Sequence, residues 1–489
     1  MHPDQRRFFS ILLIAGMLLS ATGRAQEVDR SRPPAPEKPR TLSLPPVQRF
    51  TLANGIEVVL MEKHAVPLVE VEVVIRAGSA ADPEGKAGLA NLTAEMLTEG
   101  AGSRNALELD DAVDFLGATL DASAGYHTTG ISIQVPSARL DPALAILGDV
   151  VRKPRFPESE LARKRKELLT TLTQWRDEPR VLASSAFNRT VYGDNHPYGR
   201  VRIGTEASIT GIGVNDLVNF HATYFAPSAT TIVVAGDVSK EAIAKRLEKI
   251  FGAWKGKARV VASPPPIHQV KANTLILVDK PGAPQSVIII GRVGVPRTDP
   301  DYYAIVVMNT LLGGSFTSRL NQNLREKHGY TYGAGSRFDF RPLPGPFYAM
   351  ASVQTEVTDK SITEFMNEFN SIIGSATDDE ITRAKNYVAL GYPAEFQSVG
   401  QLAGQLAELA VYSLPGDYFN GYIGHILAVT KEDVLRVARR TIDPKALAIV
   451  VVGDRSVIED GVNALDLGPE NVLTVDDLLG PARSSGATK

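Results

Sequence analysis

The 489-residue chain contains no cysteine, which excludes disulfide cross-links, thiolate metal sites and a cysteine nucleophile together. Aromatic residues supply only 7% of it, with two tryptophans, so its cores must be mainly aliphatic. Neither sign of charge is in marked excess: 52 basic and 55 acidic residues leave a formal net charge of −3, and nothing in that balance points to nucleic acid. Histidine is scarce at 8 residues, and no two stand three or four positions apart, so no helix carries the paired imidazoles of a zinc site. The one prominent long apolar run, Phe8 to Leu19, is shorter than the roughly 20 residues of a membrane span.

That run follows Arg6-Arg7 and precedes small residues ending at Gly23-Arg24-Ala25, the layout of a cleaved signal peptide over residues 1–25. The expected destination is the periplasm of a Gram-negative cell. Arg6-Arg7-Phe8-Phe9 also resembles a twin-arginine signal, so the export route stays open. Residues 26–46, with Pro33-Pro34 and Pro45-Pro46, predict an extended tether.

The rest divides into two matched segments. Asp216, Pro227 and the run Ile232-Val233-Val234-Ala235-Gly236-Asp237 recur as Asp433, Pro444 and Ile449-Val450-Val451-Val452-Gly453-Asp454, at a constant offset of 217 residues. Two similar halves follow, residues 47–255 and 274–460. A linker, 256–273, contains Pro264-Pro265-Pro266, and a tail covers 461–489. Each half opens with strand-like alternation, as in Val69 to Ile75 and Ser286 to Ile290, and continues with helical periodicity, as in Ser159 to Trp175 and Ser361 to Ile373. This order predicts an α+β fold of two similar α/β halves, each with an antiparallel-rich sheet plus helices.

In Gly88-Leu89-Ala90-Asn91-Leu92-Thr93-Ala94-Glu95-Met96 the frame is that of an inverted zinc-peptidase helix, H-x-x-E-H. Such a helix sets two imidazoles four residues apart on one face to hold the metal, while its glutamate polarises the attacking water. Here those positions hold Asn91, Ala94 and Glu95. An amide is a poor zinc ligand, Ala94 takes no proton, and one carboxylate makes no tetrahedral site. An ordinary amphipathic helix with Leu89, Leu92 and Met96 on a core accounts for the same residues.

Further motifs decide the matter. Arg76-Ala77-Gly78-Ser79, Leu97-Thr98-Glu99-Gly100 and Asp194-Asn195-His196-Pro197-Tyr198-Gly199 stand in order in the first half. In the second, Leu311-Leu312-Gly313-Gly314-Ser315-Phe316-Thr317-Ser318-Arg319-Leu320 leads into Leu324-Arg325-Glu326-Lys327-His328-Gly329-Tyr330-Thr331-Tyr332-Gly333. With these the chain resembles the insulinase/pitrilysin zinc peptidases, as a member without the zinc-binding motif. The resemblance implies a clamshell of two α/β halves, with a metal on one wall and substrate-gripping groups on the other. It places the third zinc ligand, a glutamate in catalytic members, at Thr170 or Thr171, with Glu167 about one turn away. Gly313-Gly314 makes no phosphate loop, because no lysine follows at the required spacing.

The resemblance also assigns Arg325 and Tyr332 to substrate binding. A guanidinium can bind a peptide carbonyl and a phenol can hydrogen-bond an oxyanion without a metal in their own half. The expectation is therefore a catalytically silent subunit of a heterodimeric peptidase. No catalytic residue, metal or other cofactor belongs to this chain, and zinc is expected only in a paralogous partner subunit. Substrates are peptides or unfolded polypeptides, with no nucleic acid and no stable membrane span after signal removal. Two rivals remain: a periplasmic peptide-binding or scaffold protein without hydrolysis, and an active peptidase using an unusual site of Asn91, Glu95 and Glu167.

Overall fold

Two six-stranded sheets, alike in the order of five strands and different in the sixth, form the frame of the computed structural model, which describes residue 39 and residues 42–481. The expected signal peptide and most of the tether lie outside the described residues. The first sheet is built from β1 (Gln48–Thr51), β2 (Glu57–Glu62), β3 (Leu68–Ile75), β4 (Thr119–Ala124), β5 (Thr129–Pro136) and β6 (Thr230–Gly236), in the order β1-β2-β6-β3-β5-β4. The second uses β7 (Thr274–Asp279), β8 (Gln285–Val293), β9 (Thr331–Phe338), β10 (Pro346–Gln354), β11 (Ala448–Gly453) and β12 (Glu470–Leu473), in the order β12-β7-β11-β8-β10-β9. The first sheet has one parallel pair, β2 with β6, and the second has two, β7 with β11 and β7 with β12; the remaining pairs are antiparallel. The fold is α+β, as the sequence predicts.

The 217-residue offset is kept to the residue. Val59 pairs with Val233 as Ile276 pairs with Val450, and Val71 faces Val234 as Ile288 faces Val451. Strands β6 and β11 are buried along their whole length, so both faces of each sheet are covered, which is why they read as unbroken apolar runs. The glycine that ends each strand permits close approach: a Cβ on Gly236 would lie 2.2 Å from the Leu68 carbonyl oxygen, and one on Gly453 2.6 Å from Ser286 Oγ.

One arrangement lies beyond what periodicity reveals. Helix Pro179–Tyr192 belongs to the first half by sequence, yet Leu182, Ala186 and Phe187 pack on Ile276, Val287 and Val450 of the second sheet. Its counterpart Val399–Val411 places Leu402, Leu406 and Leu409 in the core that includes Val59, Val74 and Val233 of the first. Each half thus covers one face of the other's sheet, so the halves are interlocked rather than merely linked. The boundary assignments shift accordingly. The expected tail from residue 461 contributes edge strand β12 and helix Val475–Leu479, whose Leu478 and Leu479 join the same core. In the linker, Gln269 forms a pair of hydrogen bonds with the Val293 backbone (2.8 and 3.1 Å). At the end of the tether, Leu44 N donates to Asn420 Oδ1 (2.9 Å).

Candidate functional site

The degenerate motif lies on helix Leu89–Leu97, which packs against helix Glu158–Trp175. Asp82 fixes its start by accepting hydrogen bonds from Gly88 N (2.9 Å) and Ala90 N (2.8 Å). Asn91 and Glu95, one turn apart, are joined directly: Asn91 Nδ2 donates to Glu95 Oε1 at 2.8 Å. Ala94 is buried in the core with Leu92 and Met96. The Thr171 hydroxyl donates back to the Glu167 carbonyl (3.1 Å) on its own helix. Burial pushes the Glu95 carboxyl up, against the opposing pull of Asn91 and Lys164, which makes it a poorer anion for a cation.

Glu167 does not complete the set. Arg163 spreads its guanidinium over three carboxylates, Glu99 (2.6 Å), Glu160 (2.7 Å) and Glu167 (2.7 Å), and Lys164 adds a second contact to Glu99 (3.1 Å). The acidic side chains beside the motif are thus neutralised by fixed cations of this chain. Among the described residues no group of three or more histidine or acidic side chains is arranged to hold a metal. The donors present do not fit a zinc ion, and the site of Asn91, Glu95 and Glu167 has its donors already engaged.

The second half holds a groove of about 470 Å³ between edge strand β9 and the loop before it, bordered by Gly313, Phe316, Gly333, Tyr348, Tyr387 and, from the exchanged helix, Arg180. Two π-helical turns shape it, Thr310–Gly314 and Gln322–Lys327, a form that recurs at functional sites because it displaces side chains from helical register. Gly313 lets the first turn rest on β9: a Cβ there would sit 2.2 Å from Ser336 N. Buried amides pin the contact. Asn309 exchanges hydrogen bonds with Ser336 (2.8 and 3.2 Å), and Asn321 bridges Phe316 O (2.6 Å) and Ala334 N (3.3 Å). These asparagines and Ser336 were not picked out by sequence reasoning, since an asparagine in an apolar run carries no motif of its own.

Arg325 lies in the second π-turn, half-buried, with its guanidinium 4.4 Å from the Phe316 ring centroid. Its Nη1 is 3.2 Å from Glu326 Oε1 without hydrogen-bonding geometry, a weak surface pairing. Tyr332 occupies a β-bulge: Thr331 pairs with Val353 and Ala334 with Ala351, so β9 carries one extra residue. The bulge turns Tyr332 outward to 92% exposure; Phe316 at 62% and Tyr387 at 57% line the groove, whereas Arg325 and Tyr332 do not. Arg325 and Tyr332 make no hydrogen bond to each other. Exposed aromatics around an under-engaged arginine are unusual for a surface without a ligand.

A second feature joins the halves. Arg341, buried and held by Asp339, lies between the rings of Tyr126 (4.3 Å) and Tyr198 (4.4 Å). Tyr198 Oη also hydrogen-bonds His127 Nε2, and burial lowers the His127 pKa to about 4. His196, read from sequence as a turn former, accepts from Tyr198 N (3.0 Å) and caps the turn at Pro197.

Comparison with known proteins was informative over most of the chain. A family model described as "Insulinase (Peptidase family M16)" matches residues 57–205, and one described as "Peptidase M16 inactive domain" matches 211–388. An "Uncharacterized zinc protease" of Rickettsia bellii is 24% identical over 403 residues, covering 82% of this chain and 96% of that protein. The crystal structure of a peptidase M16 inactive domain from Pseudomonas fluorescens is similar with a TM-score of 0.78 and 28% identity, over 83% of this chain and 98% of that one. The periplasmic protease PqqL from Escherichia coli shares the fold (TM-score 0.72, 17% identity), with 86% of this chain matching 47% of that one.

Proposed function

This chain belongs to the insulinase family of peptidases, family M16, and from that premise we propose that it is the catalytically silent subunit of a heterodimeric metallopeptidase. The observation that carries the reading is the asymmetry between its halves. The motif positions in the first half are closed upon one another through Asn91–Glu95 and Arg163–Glu167, whereas in the second Tyr332 is exposed next to Gly333 of the groove and the partly exposed Arg325 rests on its Phe316. The similarity to an inactive domain of the same family supports this. So does the length relation with PqqL, a single chain of which this one spans about half. A zinc-bearing paralogue would supply the counterpart and the hydrolytic water.

In this reading Arg325 donates to a backbone carbonyl of an extended peptide, and Tyr332 hydrogen-bonds the oxyanion that forms when the carbonyl is attacked. Phe316 holds the guanidinium in place. The leader over residues 1–25 directs the chain to the periplasm, and no helix among the described residues is long and apolar enough to cross a membrane. Co-purification with the zinc-bearing relative, with metal analysis of complex and isolated chain, tests the pairing: zinc in the complex alone is expected. Arg325→Ala should then lower turnover of the complex by about 100-fold while assembly persists. Unchanged turnover would refute the assigned role.

The rival reading, peptide holding without hydrolysis, draws support from the groove itself, which this chain lines from both its halves through Arg180 and Tyr348. It expects peptide affinity from a monomer or homodimer and no dependence on a second polypeptide.

A further inference from the structure

Beside the groove a second cavity of about 500 Å³ opens among the helices of the second half. Tyr302, Tyr392, Tyr418 and Tyr422 line it, and the exposed residues Glu395 and Glu408 form an acidic rim. Tyr387 lines both this cavity and the groove, so the two adjoin through one side chain. The rings are set firmly: Tyr392 and Tyr422 stack at 3.9 Å between centroids, and Tyr418 meets Tyr422 edge-on at 5.9 Å.

Tyr302 hydrogen-bonds Tyr418 and Tyr422, but other polar groups of this cavity have no internal partner. Among the described residues neither Glu395 nor Glu408 has a cation within ion-pair distance or a side-chain hydrogen bond. Tyr392 Oη is shielded from solvent and has no hydrogen-bond partner. The nearest buried cation, Arg297, does not line the cavity. Its guanidinium lies 3.8 Å from the Tyr302 centroid and donates to Tyr418 Oη at 2.6 Å. Two carboxylates against one occupied arginine leave an excess negative charge facing electron-rich ring surfaces, and the Glu408 carboxyl, raised by desolvation, feels Arg297 as its largest compensating charge.

We propose that this tyrosine-walled cavity is a specificity pocket for a basic side chain, arginine or lysine, of a peptide lying in the adjoining groove. Ring quadrupoles and an acidic rim together select a cation, and the cavity has the volume to take a long side chain. The proposal deepens the peptide-binding reading given above and rests on it for the position of the backbone. Neutral and acidic side chains gain nothing from the acidic rim, so selectivity follows from the charge rather than the size of the residue.

The test uses the purified chain in mildly alkaline buffer and fluorescence-labelled peptides, blocked at both ends, that differ only in arginine against its neutral isostere citrulline. The arginine peptide should bind about tenfold more tightly. Glu395→Gln with Glu408→Gln, both at solvent-reached positions, should abolish that preference while circular dichroism stays unchanged. Nα-acetyl-arginine amide, titrated as a competitor and by heat of binding, separates the pocket from the groove. Saturable binding of this small probe to the unaltered chain but not the double variant, with no peptide binding, upholds the pocket and overturns the peptide-binding reading. Equal affinity for the two peptides, or a preference that survives the double substitution, overturns the pocket.

Discussion

Replacing Phe187 by alanine tests the interlocking of the halves directly. The residue lies in the amino-terminal half by sequence, is 2% exposed, and packs among Val287, Ile289 and Val450 of the other half's sheet. Its ring is 6.0 Å from Tyr348, and a Cβ built on Gly291 would lie 3.0 Å from Phe187 Cζ, so the ring rests directly on β8. Truncating such a ring costs about 3–5 kcal/mol, from lost transfer energy and an unfilled cavity between two rigid layers. At about 1.4 kcal/mol per decade, that is a rise of two orders of magnitude or more in opening. Amide exchange followed by mass spectrometry should show the loss of protection first in β8 and β11, with β3 and β5 changing only as far as global stability falls. Loss confined to the first sheet would refute the exchange of helices.

Other outcomes follow from the same structure. The folded pKa of His127 lies at about 4, below its unfolded value, so its stabilising contribution is complete above pH 6.5 and is lost as pH falls from there through about 4. Allowing for its partial exposure this amounts to about 2 kcal/mol, and urea midpoints measured across that range should drop less in His127→Gln than in the unaltered chain. Arg319 forms a two-pronged bridge to Glu380 (2.7 and 2.8 Å) whose partners are largely buried, and it holds the Glu380 pKa at about 2. Arg319→Ala, which leaves that carboxylate uncompensated, should cost about 3 kcal/mol in chemical denaturation. Asn91→His with Glu95→His restores two imidazoles one turn apart on a surface where the present side chains already touch, and calorimetry should then register zinc binding by the variant and none by the unaltered chain.

Much of the fold is visible in the sequence because the repeat is written in buried strands. Val233 and Val450 must face the same kind of neighbour, and their apolar runs survive for that reason. The exchange of helices is not visible, since Leu182 and Phe187 show only that a face is buried and not which sheet buries it. The same limit hid the end of the second half. Strand β12 pairs with β7 almost two hundred residues earlier, and a four-residue edge strand with two exposed positions carries little periodicity. At the site, the loss of imidazole ligands at Asn91 and Glu95 and of the base at Ala94 follows from the sequence alone. The way Arg163 occupies the neighbouring acids does not, because Glu99 and Glu160 stand on different elements. The tyrosine pocket is hidden for a related reason: its walls come from five helical segments between Tyr302 and Tyr422, and tyrosines spaced for a cavity resemble tyrosines spaced for a core.

The reciprocal placement of helices also constrains ancestry. A single ancestral unit, before duplication, would have had one bare sheet face and one apolar helix with nowhere in itself to dock. Two copies trading those helices would satisfy both, so the unit is fit to exist as a swapped pair and poorly fit to exist singly. Fusion then made the trade intramolecular and freed each copy to diverge. One could surrender the groups of a reactive centre and the other keep a surface for grasping, without either losing the partner that completes its core.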